Sequence, residues 1–166
     1  MRTYLRVDDT SLDTVISSLI TSARIYCESF QNRAYVTQTW ELTLDSFPDL
    51  PLEIPKAPLQ SVSSIKYTDK DGVQITWDVS NYIVDTSSEP GRITFSYGNQ
   101  WPDVTLQSIN GVKIQFVAGY GDATAVPENV KNAIKIYVAH RFENPEQQDI
   151  PQAVDSLLWN DRIVPV

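Results

Sequence analysis

The hydrophobic pattern of this chain changes period twice, and that change limits the folds open to it. From about Thr10 to Asn32, the residues Leu12, Val15, Ile16, Leu19, Ile20, Ala23, Cys27 and Phe30 recur at steps of three and four, the spacing of one helical face. From Tyr35 the step becomes two: Val36, Gln38, Trp40, Leu42 and Leu44 alternate with Thr37, Thr39, Glu41 and Thr43. Behind Val126-Pro127-Glu128 the helical step returns. A helix that shows one apolar stripe must bury it against another element, so the two helical parts are expected to pack together. The fold class expected is therefore α+β: a small α-helical bundle, residues 8–33 and 127–160, carrying an inserted antiparallel β unit over 35–118.

Local signals fill in this outline. Thr10-Ser11-Leu12-Asp13 has the form of a capping box, with a hydroxyl at the helix start and a carboxylate three residues on. Short strand-like runs follow at Leu52–Ile54, Val62–Tyr67, Val73–Trp77, Tyr82–Val84, Arg92–Tyr97 and Val112–Val117, rich in β-branched and aromatic residues. Asp69-Lys70-Asp71-Gly72 and Glu89-Pro90-Gly91 suit hairpin connections. Together they predict a meander-like β unit whose two ends lie close in space. Beyond it, Val130, Ile134, Tyr137, Val138 and Arg141 mark one helical face and Ala133, Ile136 and His140 a second, which predicts burial on two sides. Asn144-Pro145 stops this helix. A short helical pattern spans Pro151 to Asn160, and residues 161–166 form an apolar tail, expected to order only on a partner.

Composition narrows the function. With 13 Lys and Arg against 21 Asp and Glu the formal charge is −8, which argues against gripping nucleic acid by its phosphates. The single cysteine, Cys27, allows no disulfide within the chain and lies on the apolar stripe, the setting of a small buried hydrophobe. No apolar run spans a bilayer and the N-terminus lacks a signal-peptide core, so synthesis and folding in a cytosol are expected.

Catalytic patterns are weak. His140, the only histidine, falls on a packed helical face, and no G-x-S-x-G elbow exists to partner it. A carboxylate pair of the glycosidase kind stays open, but most acids fall in turns or on polar faces, where solvated charge accounts for them. Asp69–Gly72 lacks the closing glutamate and flanking helices of a calcium loop. Gly119-Tyr120-Gly121-Asp122 lacks the third glycine of a dinucleotide fingerprint and the lysine of a P-loop, so its glycines are read as a turn out of the β unit. Trp40 and Trp77 are in phase with core positions; Trp101 and Trp159 are candidates for partner contact.

Four motifs taken together carry a family resemblance. They are Thr39-Trp40 after the first helix, Pro55-x-x-Pro58-Leu59-x-x-Val62, Tyr67-x-Asp69-x-Asp71-Gly72, and Ala118-Gly119-Tyr120-Gly121 followed by Val126-Pro127. In this order, from about Leu5 to Leu158, the chain resembles the head–tail connector proteins of tailed phages and prophages, also called head-completion or adaptor proteins. The resemblance implies a structural virion protein without catalysis, cofactor or metal, made in the host bacterial cytoplasm and located in the neck. It implies self-association into a ring, expected to be twelve-fold, beneath the portal protein. Such a ring extends the channel for double-stranded DNA, passed without sequence-specific binding, and receives the next neck or tail completion protein. No membrane is involved. On this reading the contact residues are Ile136, Tyr137 and His140 on the helix, and Leu157, Leu158, Trp159, Ile163 and Val164 in the C-terminal segment. The alternative is a carbohydrate- or receptor-binding β module of a phage particle, resting on the aromatic residues.

Overall fold

A computed structural model describes residues 1–147 and 149–164. The fold is α+β, with four helices and two antiparallel sheets. The chain divides into two compact units, one of residues 1–35 and 121–166 and one of residues 36–120.

The first unit is helical. A single turn, α1 (Arg2–Leu5), precedes α2 (Asp13–Gln31); α3 (Glu128–Glu143) and α4 (Gln152–Leu158) complete it. The helix start differs from the expected capping box. Asp9, not Thr10, caps: its carboxylate accepts from the main-chain N–H of Ser11 at 2.8 Å and from its hydroxyl at 2.5 Å. Residues Thr10–Leu12 then form one 3-10 turn, and α2 opens at Asp13 with no side-chain cap. The cause is competition. A charged carboxylate two residues upstream of a serine satisfies both of its donors, while the carboxylate of Asp13 is taken by the Arg2 guanidinium at 2.5 and 2.6 Å.

Helix α2 buries Ile16, Ala23, Cys27 and Gln31, and Asn32 closes it in the left-handed conformation at φ 56°. Helix α3 packs against both α2 and α4. It buries Val130, Ala133, Tyr137 and Val138, a single stripe, while Ile134, Ile136, Ala139 and His140 are half-buried. The second face expected for this helix is thus only partly covered.

The second unit holds seven strands: β1 (Gln38–Leu44), β2 (Leu52–Glu53), β3 (Leu59–Thr68), β4 (Gln74–Trp77), β5 (Tyr82–Asp85), β6 (Arg92–Phe95) and β7 (Val112–Ala118). They form two sheets, ordered β1-β7-β3-β4 and β2-β6-β5. This corrects the meander. Hairpins join β3 to β4 and β5 to β6, but the last strand, β7, inserts between β1 and β3. The alternation of β7 explains its central place: Val112, Ile114, Phe116 and Ala118 are all buried, and they meet Leu44, Leu42, Trp40 and Gln38 on one side. On the other side Ile114 meets Ile65 and Val112 meets Tyr67. The ends of the unit therefore pair directly, Gln38 opposite Ala118.

The Asp69–Gly72 hairpin is a carboxylate-capped turn, with one Asp69 oxygen accepting from the N–H groups of Asp71 and Val73, both at 2.9 Å, and Gly72 at φ 82°. The same device recurs at Asp78 with Ser80 and at Asp85 with Ser87 and Ser88. An aromatic cluster fills the space beside it. The Trp77 and Trp101 rings lie 4.3 Å apart, Phe47 stacks on Trp101 at 4.9 Å and Phe95 meets it edge-on at 5.4 Å. The indole N–H of Trp101 donates to the carbonyl of Pro48 at 2.8 Å. Trp101 is thus a half-buried loop residue whose ring packs against the aromatic cluster of this unit.

At the end of β7, Gly119 has φ 131° and lies so close to the backbone just before β1 that a Cβ there would stand 2.4 Å from the carbonyl oxygen of Val36. Its N–H donates to Pro58 O at 2.9 Å, and its own oxygen accepts from the Gln60 amide at 2.7 Å. Gly121 has φ 130° but meets only Ala125 Cβ, at 3.4 Å. Asp122 then accepts from the N–H and hydroxyl of Thr124 and from the N–H of Ala125, and Lys131 donates to Thr124 O. The Asp122 carboxylate and both main-chain groups of Gly119 are thereby turned to local structure.

Candidate interaction surface

No group of three or more His, Cys, Asp or Glu side chains stands together as a ligand set among the described residues. Among the same residues no helix is long and apolar enough to cross a membrane. Cys27 is fully buried and its thiol is pushed up to about 12, chiefly by that burial, which leaves it unreactive near neutral pH. His140 sits half-buried, its Nε2 at 3.8 Å from a carboxylate oxygen of Asp149, too long for a hydrogen bond. Its main-chain oxygen is the acceptor for both donors of Asn144, which ends α3.

The C-terminal segment is built differently from a free tail. Three consecutive residues at the end of α2 each donate a side-chain hydrogen bond to a carbonyl of this segment. Gln31 reaches Leu158 O at 2.7 Å, Asn32 reaches Ile163 O at 2.8 Å and Arg33 reaches Asp161 O at 2.5 Å. The Ile163 N–H returns a bond to Gln31 O at 3.0 Å, and Asn129 donates to the Asp161 carboxylate at 2.9 Å. Tyr26 adds its hydroxyl to Asp155 at 2.7 Å; desolvation and that carboxylate together push the phenol well above its usual range. The expected tail thus corrects to a clamped segment as far as Ile163, while Pro165 and Val166 lie outside the described residues.

The eight candidate contact residues divide by burial. Tyr137 and Leu158 are buried within the helical unit; the Tyr137 ring lies 5.7 Å from that of Tyr26 and shows only its edge at the surface. Ile136, His140, Leu157 and Ile163 are half-buried. Trp159, at 62% exposure, and Val164, at 68%, are presented outward. Arg162 stacks between Phe30 and Trp159, with its guanidinium carbon 5.0 and 5.6 Å from the two rings. Trp159 is thereby held in place although exposed.

Sequence reasoning missed two features of the surface. A groove of about 380 Å³ runs along α2 and the end of α3, lined by Val15, Leu19, Tyr137, Phe142 and Pro145, with Arg141 as its only charged residue among those described. Tyr97, assigned to a strand by alternation, instead lies beyond the end of β6 in a turn and is fully exposed. The signal for the second was present in Tyr97-Gly98-Asn99, a turn-forming triplet. No signal marked the groove, because it depends on how α2 and α3 cross.

No protein-family model matches the chain, and no curated protein matches it in sequence. Among solved structures it is similar to a chain in the neck of an empty gene transfer agent (GTA) particle computed with C6 symmetry. The two share 21% identity over 99% of this chain and 88% of that one, with a TM-score of 0.81. It is equally similar to a chain in the virion of a native gene transfer agent particle, with the same identity, coverage and score. A chain in the neck of a native GTA particle computed with C12 symmetry gives 21% identity, 99% and 89% coverage and a TM-score of 0.77. The likeness establishes that the chain shares its fold with these proteins over nearly its whole length.

Proposed function

We propose that this protein is a structural subunit of the neck of a phage-like particle: a head–tail connector, or adaptor, that assembles as a ring beneath the portal. The ring extends the DNA channel and receives the next neck or tail protein. The observation that carries this reading is the correspondence of fold with neck chains of GTA particles over 99% of the chain. Those necks were computed with C6 and C12 symmetry, which fits a twelve-fold ring of copies. One property of the chain adds support. An acidic protein, at net −8, offers DNA few cationic holds and lets it pass.

In this role the exposed Trp159 and Val164, with Ile136, His140, Leu157 and Ile163 at their half-buried margins, serve as contacts to neighbours. Trp159 suits an anchor because it is aromatic, exposed and already ordered by Arg162. The glycan-binding alternative is weakened, since one face of Trp101 packs in the aromatic cluster.

Electron microscopy of the particle that carries this protein tests the proposal. A ring of density for this chain between head and tail is expected, and deletion of its gene should give heads without tails. Complete, tailed particles after deletion would overturn it.

A further inference from the structure

We propose that the groove on the helical unit is a socket for Tyr97 of a second copy of this chain. The inference rests on the ring reading and specifies one of its contacts.

The socket is apolar and open. Val15 is 49% exposed although it stands on a helix that buries its neighbour Ile16, and Leu19, Phe142 and Pro145 continue the surface. Arg141 is its one charge; the guanidinium lies 5.8 Å from the Tyr137 ring and donates to Gln147 O. An aromatic side chain with a polar tip complements such a site.

Tyr97 has these properties. Its exposure is complete, the greatest of any large hydrophobic residue described. Yet its backbone is fixed. Ser96 N–H donates to Asn81 O at 2.9 Å, Asn99 N–H closes the turn on Ser96 O at 3.0 Å, and Gly98 supplies the positive φ of 79°. Four residues on, Trp101 locks the loop into the aromatic cluster. A side chain carried on a fixed backbone turn gives up less conformational entropy on docking than one carried on a mobile loop. From Ser96 to Gly111 the only charged residue is Asp103, opposite in sign to Arg141.

Knob and socket lie on different patches of one chain, so the contact is head-to-tail. Each copy then offers one of each, and the contact propagates until a ring closes.

The test uses two surface variants of the full chain, Y97S, which removes the knob, and V15R, which fills the socket with a charge. Sedimentation velocity of the wild type over a concentration series should show self-association. Each variant alone should shift its midpoint to a concentration higher by about tenfold or more. Mixed in equal amounts, they should form one-to-one pairs and stop there, because the mixture holds one intact socket and one intact knob per pair. A Y97S protein that assembles like the wild type overturns the contact and leaves the ring reading standing. So does a Y97S protein that assembles normally while truncation after Ile163 abolishes assembly, which would assign the socket to the C-terminal segment. A mixture no better associated than its components, or a wild type monomeric at every concentration, also refutes it. The neck reading is judged separately, by microscopy of the particle.

Discussion

The side-chain amide of Gln31 donates to the main-chain oxygen of Leu158, 127 positions later in the chain, at 2.7 Å, and both residues are fully buried. The same side chain accepts from the Tyr35 hydroxyl at 2.7 Å. One polar residue on an otherwise apolar stripe thus joins the C-terminal segment to the first long helix. Gln31→Leu should leave a buried carbonyl and a buried hydroxyl without this partner and cost about 1–3 kcal/mol, read as a lower urea midpoint with an unchanged slope. An unaltered midpoint would show that the amide does not hold the segment.

The two elbow glycines should respond very differently to the same change. Gly119→Ala forces a Cβ to 2.4 Å from Val36 O at a φ of 131°, so strain and overlap add to about 3 kcal/mol or more. Gly121→Ala meets only backbone strain, about 1–3 kcal/mol, since its Cβ has room. Thermal unfolding of the pair checks the order; equal losses would place the demand on φ alone.

Two tryptophans that look alike as loop residues should also separate. Trp101→Ala opens the aromatic cluster and should cost about 3 kcal/mol. Trp159→Ala, on an exposed ring, should change stability by less than about 1 kcal/mol while weakening assembly. Calorimetry beside a sedimentation measurement distinguishes the two. A Trp159→Ala protein that assembles normally would remove it from the contact surface.

Acid should unfold the protein through its turn carboxylates. Asp9, Asp78, Asp85 and Asp122 are all held below their usual range, first by a serine or threonine hydroxyl and next, at three of them, by main-chain N–H groups. At Asp85 the hydroxyls of Ser88 and Ser87 and the guanidinium of Arg92 act together and lower it furthest. The unfolded chain, with its aspartates at about 3.9, binds protons first as pH falls. The stabilising contribution is therefore full above about pH 5 and is lost as pH drops through the depressed folded values. The urea midpoint should be level from pH 7 to 5 and decline below about pH 4, and Asp85→Asn should make that decline shallower. A slope the same in variant and wild type would count against Asp85.

What could be read from residues alone was what local period dictates. The stripe on α2 and the alternation of β7 each report the geometry of one element, and both survive in the structure. The misreadings arise where two partners compete for one group. Thr10 loses the helix start because Asp9 binds Ser11 first, and Trp101 is only half-exposed because Phe47, Trp77 and Phe95 gather around it. The clamp of Gln31, Asn32 and Arg33 was invisible because its acceptors are main-chain oxygens, which no side-chain pattern marks. Of the proposed contact residues, Trp159 and Val164 are exposed and Tyr137 and Leu158 are buried; apolar periodicity is the same whether a residue faces its own core or a neighbour.

The pairing of Gln38 with Ala118 makes the β unit begin and end at adjacent points, with partnered α-carbons about 5 Å apart. Everything between is hung from a single closed gate. Changing the loops that join the intervening strands leaves the separation of the two gateposts unchanged. Those loops can therefore vary without moving the points where the β unit begins and ends. The experimental counterpart is a graft: the unit should transfer into another helical host wherever two backbone ends lie a strand's spacing apart.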